Sequence, residues 1–150
     1  DERFNGGGSA DDYMVDLMTR RLRAAYNNTA AGGPIRPPSG ILGPKVLIIN
    51  ELAGSGGDYF PWAFRQLEVG PIVGSRTWGG LVGISGNPAL IDGGYTSAPT
   101  FAFFEKDGTW GIEGHGVDPD IEVLDDPALM VDGTDPQLDA AIDFLLWRLT

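Results

Sequence analysis

Cysteine is absent from this sequence and histidine occurs once. The first absence excludes disulfides, zinc ribbons, iron–sulfur clusters and a thiol nucleophile, and the two together leave no ordinary zinc site. A catalytic nucleophile, if present, is therefore an oxygen or a lysine, and neither a metal nor a cofactor is expected. Positive charge is also scarce: 10 Lys and Arg stand against 21 Asp and Glu, a formal charge of −11. That sign opposes a phosphate backbone or an anionic membrane surface, so neither nucleic acid nor a membrane is an expected partner. No stretch approaches the ~18 unbroken apolar residues of a membrane span. What is there is globular in character: 42% hydrophobic residues in 150, room for one domain with a real core. Glycine reaches 23, about twice its usual share of roughly 7%, so many backbone positions need positive φ or close approach. Asp1-Glu2-Arg3-Phe4-Asn5 offers no initiator Met and no signal-peptide pattern, and the chain reads as a piece of a longer one.

Along the chain, Ser9-Ala10-Asp11-Asp12 resembles a capping box, and Met14, Val15, Leu17, Met18, Leu22, Ala25 and Tyr26 recur at helical spacing. A helix over about 9–26 is expected, followed by a Gly-, Asn- and Pro-rich loop over 27–43. Lys45 to Asn50 is a short β-branched apolar run, the pattern of a strand covered on both faces. A small-residue turn, Ala53 to Gly57, leads into Tyr59, Phe60, Ala63, Phe64 and Leu67 on one helical face. Pro71 to Gly74 reads as a second strand. Turn-separated β-rich pieces follow at 89–91, 100–104 and 110–112, with Asp107-Gly108 as a hairpin turn. Asp135-Pro136 then opens a helix with Leu138, Ala141, Ile142, Leu145, Leu146 and Leu149 on one stripe. The order of elements implies an α/β domain whose sheet is partly parallel with an antiparallel excursion.

Several residues could carry chemistry. Ser55 sits at a strand-to-helix turn in Ala53-Gly54-Ser55-Gly56-Gly57, one residue short of the G-x-S-x-G elbow because Ala53 replaces the first glycine. A hydroxyl there lies beside unpaired helix-start N–H groups that can hold an oxyanion. The same residue could equally serve a turn or a cap. Asn5-Gly6-Gly7-Gly8-Ser9 is a second glycine turn opening a helix, but it lacks both dinucleotide and phosphate-loop spacing. His115, between Gly114 and Gly116, is the one imidazole a self-contained Ser–His pair could use, and a solvated loop residue is the plainer reading. Glu113 could orient a base or act as a surface charge. Asp118-Pro119-Asp120-Ile121-Glu122 fails the calcium-loop pattern because Val123 stands where a sharp turn is required, and reads as a solvated strand edge.

Four motifs in order resemble one family. They are Asp1 to Gly8; Asn50-Glu51-Leu52-Ala53-Gly54-Ser55-Gly56-Gly57-Asp58-Tyr59-Phe60-Pro61; Gly74-Ser75-Arg76-Thr77-Trp78-Gly79-Gly80; and Gly116-Val117-Asp118-Pro119-Asp120-Ile121-Glu122-Val123. They are similar to the C-terminal catalytic domain of the tricorn-type peptidases, family S41, and more distantly to the tail-specific, C-terminal-processing peptidases. The resemblance spans nearly the whole chain. It implies a crotonase/ClpP-like fold of β-β-α units and a serine peptidase acting on oligopeptides. By it, Ser55 matches the nucleophile, Gly56 and Gly8 match the backbone oxyanion donors, and Glu113 matches the acidic member of a Ser-His-Ser-Glu tetrad.

The first Ser and the His of that tetrad lie upstream of anything in this sequence, which removes the catalytic part from His115. The resemblance further implies a larger, homo-oligomeric cytoplasmic protein with upstream domains in the same polypeptide. Two departures stand out. Gly56 replaces an Asp common in relatives, and Ala24, Ala25, Tyr26, Asn27 and Asn28 offer no carboxylate for a trypsin-like preference. Two rival readings keep the fold and change the role: a binding or assembly module without catalysis, and an acyl-transfer domain acting on thioesters.

Overall fold

The computed structural model describes residues 1–23, 26–27, 30, 34–35 and 40–150. In chain order its elements are α1 (Asp11–Thr19), β1 (Tyr26–Asn27), β2 (Pro34–Ile35), β3 (Leu47–Ile49), α2 (Gly56–Gln66), β4 (Ile72–Gly74), β5 (Ile121–Glu122), α3 (Pro127–Met130) and α4 (Pro136–Leu149). β1 and β2 pair as a small antiparallel ribbon. The main sheet has the order β3-β4-β5 with both pairings parallel, Ile48 opposite Val73 and Val73 opposite Ile121. The fold is α/β, as the order of elements implies.

Alternation along the strands divides the core in two. Leu47, Ile49 and Ile72 face α1 and α2, where they pack with Val15, Phe60, Ala63, Phe64 and Val117. Ile48 and Val73, one position out of phase, face the other way and meet Ala141 of α4. A strand buried on both faces needs apolar residues at every position, which is why Leu47-Ile48-Ile49 reads as a continuous run. Gly74 is a close approach as well as a turn: its φ is +128°, and a Cβ there would run into the Ile49 carbonyl oxygen.

Several expectations need correction. α1 ends at Thr19, well before residue 26, because Arg20 turns extended and Ile41 returns to donate its N–H to the Leu17 carbonyl at 3.0 Å. Leu22 is exposed, while Ala25 and the other positions expected to lack a carboxylate lie where side chains are outside the described residues. No side chain caps α1, so the capping-box reading at Ser9 does not hold. The pieces at 89–91 and 100–104 form isolated antiparallel contacts, Ala89 with Tyr95 and Gly83 with Phe101, and 110–112 forms no strand. Phe101, Phe104 and Trp110 remain exposed, so nothing buries a face that would extend the pairing. The Asp107-Gly108 turn does close, with the Glu105 N–H on the Thr109 carbonyl at 2.8 Å. In α4 the buried residues are Gln137 and Ala141, whereas Leu138, Ile142, Leu146 and Leu149 of the expected stripe are exposed.

One ion pair joins the chain's first residues to its last helix. Arg3 donates through both terminal nitrogens to Asp135, at 2.8 and 2.7 Å. Asp135 is also the α4 N-cap and accepts the Leu138 N–H at 3.0 Å. The Arg3 guanidinium holds the Asp135 carboxyl below the ordinary aspartate value of 3.8. A lowered folded-state value stabilises the fold above the unfolded value, and that contribution is lost as pH falls through the folded one. Asp135→Ala is expected to cost roughly 1–2 kcal/mol in urea unfolding at neutral pH. Asp135→Asn keeps a cap acceptor and should lose less. Its deficit relative to the parent should shrink as the solution is taken from about pH 6 towards pH 2.

Candidate active site

Where β3 ends, Asn50 begins a hydrogen-bonded assembly of loops. Its side chain is nearly inaccessible, and its oxygen accepts the Phe4 N–H at 3.0 Å and the Leu52 N–H at 3.2 Å. Asn5 continues the attachment: its carbonyl takes the Gly54 N–H at 2.9 Å and its side chain takes the Gly7 N–H at 2.9 Å. The glycine loop 6–8 is thereby laid against the turn 53–57.

Ser55 occupies the corner of that turn with φ 56° and ψ −114°. This left-handed conformation is costly for a non-glycine residue and persists only where surroundings enforce it. The enforcement comes from two directions. The Ser55 N–H is shared between the Gly80 carbonyl at 3.0 Å and the carboxylate of Asp58, three residues on, at 2.9 Å. Asp58 is fully buried and also accepts the N–H groups of Gly79 at 2.7 Å and Gly80 at 3.0 Å. Trp78 completes the seam by donating to the Ala53 carbonyl at 2.8 Å.

Gly7 and Gly56 mark how closely the two glycine turns meet. Gly7 has φ +121°, and a Cβ on it would stand 2.8 Å from Ser55 Cβ and 2.9 Å from Ser55 Oγ. A Cβ on Gly56 would stand 2.9 Å from the Gly8 nitrogen and 2.8 Å from Asp11 Oδ2. Ser55, Gly56 and Gly8 therefore come together at the start of α2, where the helix macrodipole favours negative charge.

They line a cleft of about 380 Å³ whose other walls include Asp11, Asp12, Tyr59, Leu81, Phe101 and Phe103. Tyr59 packs edge-on against Phe103 and donates its hydroxyl to Asp12 at 2.7 Å. Burial and that bond push the phenol up to about 12. Burial, then the charges of Glu2 and Asp12, raise the Asp11 carboxyl above its ordinary value.

Glu113 lies one segment away from Ser55. Its Oε2 accepts the N–H groups of Leu81 and Val82, both at 2.8 Å, directly after the Gly80 that bonds Ser55. The Gly114 N–H meets the Gly79 carbonyl at 2.7 Å and fixes the segment in place. His115 is not brought to Ser55. Its Nε2 lies 2.9 Å from the Asp118 carboxylate, both groups are about half exposed, and neither lines the cleft. Among the described residues, no group of three or more His, Asp or Glu is placed to hold a metal, and no helix is long and apolar enough to cross a membrane.

Sequence reasoning overlooked Asp58, Asp11 and Asp12. The signal for Asp58 is present in the Ser55-x-x-Asp58 spacing, an acid at the third position after a helix-capping serine. Asp11 and Asp12 directly follow the glycine loop, and only the tertiary arrangement turns them towards Ser55.

A strained serine at a helix start and a second glycine loop beside it make up the candidate site. The chain belongs to peptidase family S41, whose model matches residues 1–123. It is 43% identical to the tricorn protease of Thermoplasma acidophilum over 99% of its own length, and 40% identical to tricorn protease homolog 1 of Streptomyces coelicolor, again over 99%. In each case it spans 14% of the relative's length. The crystal structure of the tricorn protease superposes with a TM-score of 0.91 at 40% identity, covering 98% of this chain and 14% of that one. The photosystem II D1 C-terminal processing protease shares the fold at a TM-score of 0.55 and 22% identity, covering 95% of this chain and 37% of that one.

Two substitutions and one control test how the site is held. Asp58→Ala strands the Gly79 and Gly80 N–H groups, leaves the Ser55 N–H with the Gly80 carbonyl alone, and is expected to destabilise by about 3 kcal/mol or more in denaturant unfolding. Gly7→Ala should cost roughly 1–3 kcal/mol through strain and the collision with Ser55. Gly6→Ala has open space, and should stay within about 0.5 kcal/mol of the parent.

Proposed function

We propose that this chain is the catalytic domain of a tricorn-type serine peptidase, a single domain within a longer, multidomain polypeptide that cleaves oligopeptides. The observation that carries the reading is the strained Ser55 at the head of α2 with the Gly8 backbone against Gly56.

In the proposed reaction, Ser55 Oγ attacks the peptide carbonyl carbon while a histidine base takes its proton. The N–H groups of Gly56 and Gly8 receive the oxyanion, reinforced by the α2 N-terminus. The tetrahedral intermediate collapses, the C–N bond breaks, and the protonated base gives its proton to the leaving amine. Water activated by the same base then releases the acyl group from Ser55. Glu113 is the acidic member of the group. Its carboxylate accepts the Leu81 and Val82 N–H groups, and Leu81 lines the cleft.

In this reading His115, which contacts Asp118 and does not line the cleft, does not serve as that base. The base comes from a segment outside these 150 residues, as do the further domains. Assembly into a homo-oligomer and a cytoplasmic location complete the proposal.

A fluorophosphonate probe on the full-length chain should label Ser55. A folded protein that is not labelled overturns the reading. Ser55→Ala should lower kcat by about 10⁴-fold or more, while His115→Ala should leave it unchanged. Residues 1–150 alone should hydrolyse peptides slowly or not at all. Turnover by that piece, abolished by His115→Ala, would return the base to His115.

A further inference from the structure

Three large apolar side chains stand exposed around the serine corner, and neither the core nor the cleft uses them. Phe4 is 63% exposed, Leu52 60% and Trp78 70%, and none of the three lines the cleft. Their backbones belong to the same hydrogen-bonded assembly that holds Ser55. The Phe4 and Leu52 N–H groups share the Asn50 side-chain oxygen, and the Trp78 N–H meets the carbonyl of Ala53, next to Leu52.

Two of the three are kept there at a local cost. Phe4 has φ 65°, a conformation that a bulky side chain avoids and glycine adopts freely. The Trp78 ring lies over Gly54 and Gly80. A Cβ on Gly54 would stand 2.6 Å from its Cε3, and one on Gly80 would run into its Cζ3. The indole thus covers main chain on either side of the Ser55–Gly80 hydrogen bond while most of its surface stays bare. A single exposed aromatic is ordinary. Three exposed apolar side chains on one corner, with backbone strain and no burial gained within these residues, mark a contact surface.

The chemistry says what covers it. Ser55 needs a base within hydrogen-bond reach of Oγ, and among the described residues lining the cleft there is no Lys, Arg or His. Gly7 crowds Ser55 Oγ, and Gly56 is pressed against Gly8. The flank of Gly54 and Gly80 carries Trp78 instead. This chain spans 14% of the length of its tricorn relatives, so a polypeptide of that kind has ample chain to supply the missing segment.

We infer that Phe4, Leu52 and Trp78 form the seat for the base-bearing segment of the same polypeptide, an apolar stretch that carries its histidine across the Gly54–Gly80 flank to Ser55. This rests on the peptidase reading and adds to it the surface on which the site is completed. Leu52 and Trp78 are positioning residues, acting through the docked segment rather than on the peptide. Their loss should therefore lower kcat and leave KM nearly unchanged.

The docking is tested on the full-length chain with the photoreactive residue p-benzoylphenylalanine in place of Leu52 or of Trp78, irradiated as a mixture of heavy-isotope-labelled and unlabelled copies. The expected crosslink lies within one copy and joins a histidine-containing segment outside residues 1–150. Replacing that histidine by alanine should abolish fluorophosphonate labelling of Ser55. A crosslink between two copies, one confined to residues 1–150, one to an added peptide, or none at either position overturns the inference.

Leu52→Asp changes only an exposed side chain. It should slow labelling of Ser55 and lower kcat by about tenfold, with KM within about threefold and the native circular dichroism retained. Trp78→Ala should slow labelling more, and Trp78→Phe should recover most of the loss. Unchanged rates, or a raised KM with kcat intact, would sink the docking role. Should Trp78→Ala fail to fold, Leu52→Asp decides. Labelling of the parent chain is scored separately. A labelled Ser55 with crosslinks elsewhere sinks the docking face and leaves the peptidase reading standing, whereas a folded parent chain without labelling sinks the peptidase reading itself.

Discussion

The Asp58 carboxylate is the constraint on which the rest of the site depends. Burying a charged group costs several kcal/mol unless its lone pairs are met, and here three backbone N–H groups from two segments meet them. Two of those donors, on Gly79 and Gly80, have Asp58 as their acceptor, and the third, on Ser55, shares it with the Gly80 carbonyl. Ser55 is at a helix start, where amide groups lack intrahelical acceptors, and Gly79 and Gly80 belong to a stretch without regular pairing. One anion thus draws the serine corner and the 79–80 segment into a single arrangement. Everything attached to that segment inherits its position: Leu81 and Val82 on Glu113, and Gly79 on Gly114.

The polar framework around Ser55 is mostly main chain. Asn5 and Asn50 contribute side chains, but what they grip is backbone: Gly7 in one case, Phe4 and Leu52 in the other. A site built from peptide groups has a fixed geometry and tolerates changes in side-chain identity, provided the chain can pass through tight places. That requirement falls on Gly7, pressed against Ser55, and on Gly56, pressed against Gly8. The glycine-rich composition gains a specific meaning at these two positions, where a methyl group would occupy space already taken.

Those parts of the structure whose cause is local were legible in the sequence. Leu47 to Ile49 must be apolar at every position because helices cover both faces of the sheet, and so the strand is plain to read. Asp135-Pro136 opens α4 through a cap that acts within one turn. The family follows from four motifs in order and is matched over residues 1–123. Features set by distant partners were not legible. The periodicity of α1 runs past Thr19, but Ile41 claims the Leu17 carbonyl and the chain departs there. The aromatic residues at 101–110 look like strands by composition, yet exposure on the excursion leaves them only isolated pairings. In α4 the leucine stripe suggests a buried face, whereas the sheet receives the small Ala141, which allows close approach. At the site, the strand-to-helix place of Ser55 was readable. The convergence of Asp11 on Gly56 depends on how two glycine turns dock.

The clamp between Arg3 and Asp135 bears on where this unit ends. The residues that match the family model stop at 123, and Ser55, Gly8 and Glu113 all lie within them. The loop carrying Gly8 nevertheless follows a turn at residues 3–4, which Arg3 ties to the cap of α4. The chemical boundary and the mechanical boundary therefore differ. The last helix contributes no group to the cleft, but it acts as the abutment against which the loop over 4–8 is braced.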